Sequence, residues 1–175
     1  MKKKLSLVVA TILLLSTTTF AQKAYEEGSN VVNLGLGLGA TYWGSGFPIS
    51  IGGSFEHGVT DNISVGGTLG YSTTKINDVD GYYVRYSGIL IGARGSYHFL
   101  TTDKMDPYAG ADLGYVIVSE SNNFPNGYTS GFKASGLGFG IHGGIRYYIN
   151  TGFGVYGEIG FGSFAILNIG VCFKF

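Results

Sequence analysis

The stretch Leu137-Gly138-Phe139-Gly140-Ile141-His142-Gly143-Gly144-Ile145-Arg146-Tyr147 alternates with a period of two. Leu137, Phe139, Ile141, Ile145 and Tyr147 form one row; Gly138, Gly140, His142, Gly144 and Arg146 form the other. That period places the rows on opposite faces of a β-strand. One face is large and apolar. The other is mostly glycine, interrupted by an imidazole and a guanidinium. A water-facing strand normally carries charged and hydroxyl side chains that protect it from aggregation. Glycine does neither, and it weakens a strand. Glycine facing the axis of a narrow barrel instead leaves room for the few large side chains that also point inward. A soluble barrel of lipocalin type alternates too, but with its apolar face inward. Here the glycine row reads as the inside, and the apolar row faces lipid.

The same pattern recurs. This strand is predicted over residues 133–149, and seven further strands over residues 31–42, 48–57, 63–72, 82–99, 107–119, 153–162 and 165–175. In the fourth, Arg85 and Ser87 disagree in parity with Arg94, which predicts a bulge or a section outside the membrane. Turn residues fill 58–62 and 150–152, whereas 73–81 and 120–132 are longer, polar connections. Short turns at one end and longer loops at the other, joining strands of about ten residues, predict a closed antiparallel up-and-down eight-stranded transmembrane β-barrel. Aromatics gather at both strand ends. Tyr42, Trp43, Tyr71, Tyr82 and Tyr83 mark the loop side; Phe55, Phe99, Tyr108, Tyr147, Phe153, Phe173 and Phe175 mark the turn side. Two such bands are expected at membrane interfaces.

Composition agrees. Of 175 residues 31 are glycine and only 13% are charged, too few for an ordinary soluble surface. Residues 1–21 read as a cleaved secretory signal peptide: Lys2, Lys3 and Lys4, an apolar run from Leu5 to Leu15, then Thr19-Phe20-Ala21 before the cut. That run is short of the roughly 20 residues a spanning helix needs. Residues 22–175 form the barrel domain. Without the three leader lysines, eight basic residues face eleven acidic ones, a net −3. No basic stripe points to nucleic acid. The single cysteine, Cys172, allows no disulfide within the chain.

By parity the inward set includes Glu56, Arg94, Asp112, His142, Arg146, Glu158 and Lys174. Isolated charges in a narrow space are costly and pairing is the usual remedy, so an internal ion-pair network plugging the barrel is expected. The motif Gly138-Phe139-Gly140-Ile141-His142-Gly143 matches GxGxxG but opens no helix, so no dinucleotide site is expected. His57, His98 and His142 lack metal-ligand spacing. No cofactor is expected.

The leader ending Phe20-Ala21-Gln22, the turn from Gly58 to Ser64, the strand start Tyr108-Ala109-Gly110-Ala111 and the terminal Phe175 together resemble the small outer-membrane barrels of the OmpA-barrel, OmpX and OmpW kind. They are most similar to the exported barrels of Bacteroidetes-type bacteria. The resemblance covers the whole mature chain. It implies a bacterial outer-membrane location, and it implies that Phe173 and Phe175 form a C-terminal signal read by the barrel-assembly machinery. No peptidoglycan-binding domain is expected, so a cell-wall tether does not carry over. The expected role is structural or interactional, with outer-membrane lipid around a monomer and an extracellular ligand reached through loops 73–81 and 120–132. Two other classes stay open. A narrow porin-like transporter of small apolar solutes would use a mouth of Trp43, Tyr82, Tyr83, Phe124 and Tyr128. A lipid A-modifying enzyme would need a serine beside His142 and Glu158 near the outer rim, and the sequence offers none.

Overall fold

The computed structural model describes residues 23–39, 48–77, 82–124, 133–162 and 165–175. They form a closed barrel of eight antiparallel strands in chain order. The strands are β1 (Asn30–Leu38), β2 (Ile49–Gly58), β3 (Ile63–Asn77), β4 (Tyr83–His98), β5 (Met105–Asn122), β6 (Lys133–Tyr148), β7 (Phe153–Phe161) and β8 (Leu167–Lys174). β8 closes onto β1, with Val31 opposite Lys174 and Leu38 opposite Leu167. Asn30 and Phe175 exchange backbone hydrogen bonds of 3.0 Å, so the seam is paired to the last residue. Lipid offers no hydrogen bonds to an open edge, and closure removes the edge.

The alternation orients every strand. Leu34, Leu36, Ile51, Leu69, Ile91, Leu113, Leu137, Phe139, Ile159 and Ile169 all stand outward and exposed, Leu137 at 81%. The interior instead holds Asn33, Glu56, Arg94, Asp112, His142, Arg146, Glu158 and Asn168, all buried. This inverts a water-soluble core. On β3, β4 and β5 the outward apolar rows span Ile63–Tyr71, Ile89–Tyr97 and Ala109–Ile117. Each is about nine residues, the length a tilted strand needs to cross a bilayer.

Three turns set one end. Thr60 Oγ1 accepts from the amides of Asn62 and Ile63, at 3.2 and 3.0 Å. Thr102 Oγ1 and Asn150 Oδ1 do the same for residues 104–105 and 152–153. Hydroxyl and amide side chains that mimic a backbone carbonyl stabilise such turns.

The structure corrects several expectations. β1 stops at Leu38, and Gly39 turns away at φ 70°; Tyr42 lies outside the described residues, as do residues 1–22. β3 runs on to Asn77 and β5 to Asn122, so parts of the predicted loops 73–81 and 120–132 are strand. β4 contains no bulge: its pairing with β3 and β5 proceeds without a skipped residue. Arg85 simply lies on the outward row, beyond the apolar band. Tyr108 belongs to no girdle; it points inward and is 1% exposed.

Candidate functional site

The lumen is built in two layers. Towards the turns it is ionic; towards the loops it mixes apolar and hydroxyl side chains, with Leu90, Val116 and Ala165 packed together against Val118, and the buried Ser50 and Ser72 on the row of Val118.

The ionic layer begins with cross-strand geometry. Glu56 on β2, Gly66 on β3, Arg94 on β4 and Asp112 on β5 lie opposite one another in turn. Gly66 supplies no side chain, so Glu56 and Arg94 meet across it, Arg94 Nε donating to Glu56 Oε1 at 3.2 Å. The same guanidinium binds Glu158 through Nη1 and Nη2, and lies 3.6 Å from Asp112 Oδ1. Arg94 therefore ties together β2, β5 and β7. Arg146, wholly buried, donates from Nε to Asn33 Oδ1 at 3.0 Å, from Nη1 to Asp106 Oδ2 at 2.8 Å, and from Nη2 to Glu56. It ties β6 to β1, β2 and β5. Its guanidinium lies 4.1 Å from the Tyr108 ring centroid, and the Tyr108 hydroxyl donates to Glu158 Oε2 at 2.9 Å. Gly144 opposes Tyr108, and a methyl there would lie 2.6 Å from the phenol oxygen. The glycine row thus makes the space that the charged side chains occupy.

Two imidazoles complete the layer. His142 Nδ1 lies 2.8 Å from Asp112 Oδ2, and its Nε2 lies 3.1 Å from Ser96 Oγ. His98 Nδ1 lies 2.6 Å from Asp106 Oδ1, and its Nε2 lies 2.9 Å from Ser64 Oγ, which donates to Glu56. Two guanidiniums and two imidazoles thereby face four carboxylates.

Both Ser-His-Asp chains have the connectivity of a nucleophile, base and orienting acid. The sequence offered no serine for His142; Ser96 reaches it across Gly110, through a register that alternation alone does not reveal. Gly110 lies between them, and a methyl there would lie 2.7 Å from His142 Nε2. Ser64 is already engaged by Glu56 and His98.

Of the seven residues expected inside, Glu56, Arg94, Asp112, His142, Arg146 and Glu158 meet in one network. Lys174 does not: its ammonium bonds the Lys23 carbonyl and lies 5.5 Å from the Tyr148 ring centroid. Asp106, His98, Tyr108, Ser64 and Ser96 join instead. Parity marks the inward row, but not which inward side chains share a level.

The segment before β1 covers the turn end. Tyr25 stacks on His98 with centroids 3.5 Å apart and planes at 3°, and its hydroxyl donates to the Thr60 carbonyl at 3.1 Å. Burial and the nearby Asp106 carboxylate push the Tyr25 phenol well above its ordinary pKa. The Ala24 amide donates to Thr102, and the Gly58 amide to Ser29.

At the loop end, Tyr82 and Phe124 stack 5.3 Å apart. Tyr83 stands on the outward row of β4 instead, with Lys75 Nζ 4.2 Å from its ring centroid. Trp43 and Tyr128 lie outside the described residues. At the chain end, Phe153 and Phe173 pack 5.4 Å apart on the outer face, and Phe175 is 71% exposed.

Known structures share this architecture. The barrel resembles OprG from Pseudomonas aeruginosa, with a TM-score of 0.63 at 12% identity over 86% of this chain and 97% of that one. It resembles the N-terminal barrel domain of Pseudomonas aeruginosa OprF, with a TM-score of 0.58 at 22% identity over 88% and 100%. It also resembles Ail, the attachment invasion locus protein of Yersinia pestis, with a TM-score of 0.54 at 10% identity over 85% and 95%. Among curated protein sequences none matches the chain. The family model for the outer membrane protein beta-barrel domain matches residues 8–171. With its inverted core, closed seam and apolar outer rows, the chain belongs to the outer membrane protein β-barrel family and is an integral protein of the bacterial outer membrane.

Proposed function

We propose that this barrel is a sealed structural and surface-interaction protein of the envelope, not an enzyme. The supporting observation is the lumen-spanning network. Arg94 and Arg146 each bond carboxylates on several strands, so their side chains occupy the axis rather than line it. Eight strands leave an interior that side chains can fill. In this reading residues 1–21 direct export, and Phe173 and Phe175 present the chain to the assembly machinery. The turns and the segment before β1 face the periplasm. The extended ends of β3 to β6, with the connections at 78–81 and 125–132, face outward to an extracellular ligand.

Single-channel recording on the refolded mature chain in planar bilayers tests the seal, beside the Arg94→Ala/Arg146→Ala double variant. A silent wild type with a conducting or unstable variant is expected. Steady wild-type conductance overturns the seal. One observation favours a second reading: the apolar loop-side cluster of Leu90, Val116 and Ala165 beneath the Tyr82–Phe124 stack suits a small apolar solute. Solute flux abolished by Tyr82→Ala would establish that reading instead.

A further inference from the structure

The segment before β1 lies across the turn-side mouth of the barrel, and it rests on a histidine. Its backbone is anchored at both ends. The Ala24 amide donates to the Thr102 carbonyl at 2.8 Å, and the Gly28 amide donates to the Gly58 carbonyl at 2.9 Å. Between these anchors the buried Tyr25 ring enters the mouth and lies flat on His98, with centroids 3.5 Å apart.

The hydrogen bonds around His98 fix its protons. The Ser64 hydroxyl donates to Glu56 Oε2 at 2.7 Å, so its one proton is committed. The Ser64 oxygen, 2.9 Å from His98 Nε2, can then only accept, and Nε2 carries a proton. Nδ1 lies 2.6 Å from Asp106 Oδ1, and that contact needs a proton between the two atoms. With a proton at each nitrogen, the ring is an imidazolium paired with Asp106. Charge gives the same answer. Arg94 and Arg146 face Glu56, Asp106, Asp112 and Glu158, and this network sums to zero only when His98 and His142 are both protonated. A buried charge without a partner is costly.

Loss of one proton rearranges the site without moving a strand. Nδ1 keeps its proton towards Asp106, Nε2 becomes an acceptor, and the Ser64 hydroxyl turns from Glu56 to Nε2. The released proton passes to water at the mouth. Tyr25 then lies on a neutral ring. A cation against an aromatic face is attracted by the ring quadrupole, and a neutral imidazole forfeits that attraction. The surrounding ionisable groups do not restore it. Asp106 on β5, Glu56 on β2 and Asp61 in the turn after β2 place negative charge near Tyr25, and Arg146 on β6 opposes them. Tyr108 on β5 lies 6.0 Å from the His98 ring, and Lys174 on β8 bonds the Lys23 carbonyl at the start of the segment.

We propose that residues 23–29 form a proton-dependent lid on the turn-side mouth, held down by the stack of Tyr25 on the His98 imidazolium and released as that ring loses its proton. Seating and protonation stabilise each other, so raising the pH favours release. The lid is separate from the seal, because Arg94 and Arg146 keep their carboxylate partners whether or not it is seated.

The test is NMR of the isotope-labelled mature protein, refolded in detergent micelles and titrated between about pH 5 and pH 9. The imidazole nitrogen resonances of His98 report protonation of the ring. Exchange protection of the Ala24 and Gly28 amides, corrected for the intrinsic pH dependence of exchange, reports seating. His98 is expected to be doubly protonated at the acid end. Protection at Ala24 and Gly28 is expected to fall about tenfold over the interval in which the ring deprotonates, while strand amides of β3–β6 keep theirs. Tyr25→Leu keeps an apolar side chain without a π face, and its lid amides are expected to exchange faster and with no such pH dependence. A neutral His98 throughout the range with the lid still protected overturns the proposal. So does constant protection while His98 titrates, or the full pH dependence persisting in Tyr25→Leu. The wild-type titration decides by itself should the variant fold poorly.

Discussion

Replacing Arg146 with methionine tests the energetics of the lumen most directly. The substitution keeps an unbranched apolar stem but ends short of the guanidinium, so it removes the charge, its donors and the volume they occupy. Three bonds disappear, to Asn33, Asp106 and Glu56. Glu56 keeps Arg94, Ser64 and Asn33, but among the described residues Asp106 keeps only His98. Removing one partner of a buried ion pair costs about 3–5 kcal/mol, because the other charge stays buried without compensation. Loss of the guanidinium beside the Tyr108 ring adds about 1 kcal/mol. A shift of about 4–6 kcal/mol is therefore expected in urea unfolding from phospholipid vesicles, read by heat-modifiable gel mobility. Lys174→Met is the internal control. Lys174 is also buried, yet it makes no ion pair among the described residues, so its removal should cost roughly 1 kcal/mol, the worth of a hydrogen bond. A measured cost below about 1 kcal/mol for Arg146→Met would refute the reasoning. It would mean that water already screens these carboxylates, and a wet lumen is not a sealed one.

Other positions separate packing from assembly. Gly144→Ala places a methyl 2.6 Å from the Tyr108 hydroxyl, which must shift off Glu158; about 1–3 kcal/mol of destabilisation is expected in the same unfolding assay. Tyr25→Ala removes the stack on His98, so amide exchange at Gly58, which donates to Ser29, should accelerate while strand amides of β3–β6 stay protected. Phe175→Ala should leave a folded barrel, because the ring stands exposed on the outer rim rather than in the lumen network, with a cost of no more than about 2 kcal/mol from its lost interface contact. In cells the same variant should lower the yield of assembled barrel; unchanged yield would remove the assembly role.

Much of this fold was legible in the sequence because a membrane barrel has a loud signal. Leu137 to Tyr147 alternates with one gap, at Gly143, in its apolar row, and glycine opposite apolar rows has few other uses. The signal fades where strands leave lipid. Thr73 to Asn77 continues the ladder of β3, but with polar residues on its outer row, and hydropathy then cannot tell strand from loop. The parity clash at Arg85 had the same cause: a charge on the outer row is forbidden only within the apolar band. Inside the lumen, parity correctly marked Glu56, Arg94 and Arg146 as inward. Their partners depended on shear, which slides each strand against the next. That is why Asp106 and Ser96 went unnoticed and Lys174 was grouped with charges it does not meet. Tyr108 was misplaced because an aromatic near a strand end resembles a girdle residue, although its parity with Asp112 pointed inward.

The unequal strand lengths have a consequence in the plane of the membrane. β3 to β6 run 15 to 18 residues, whereas β1, β2, β7 and β8 run 8 to 10. Seen along the membrane normal, the molecule is therefore not a featureless disc but has a front and a back. Among the described residues, a neighbour approaching the back meets hydrocarbon and short strands; one approaching the front meets strands that run on into a polar parapet. Contacts in a crowded membrane then depend on the angle of approach, and the barrel carries a compass bearing.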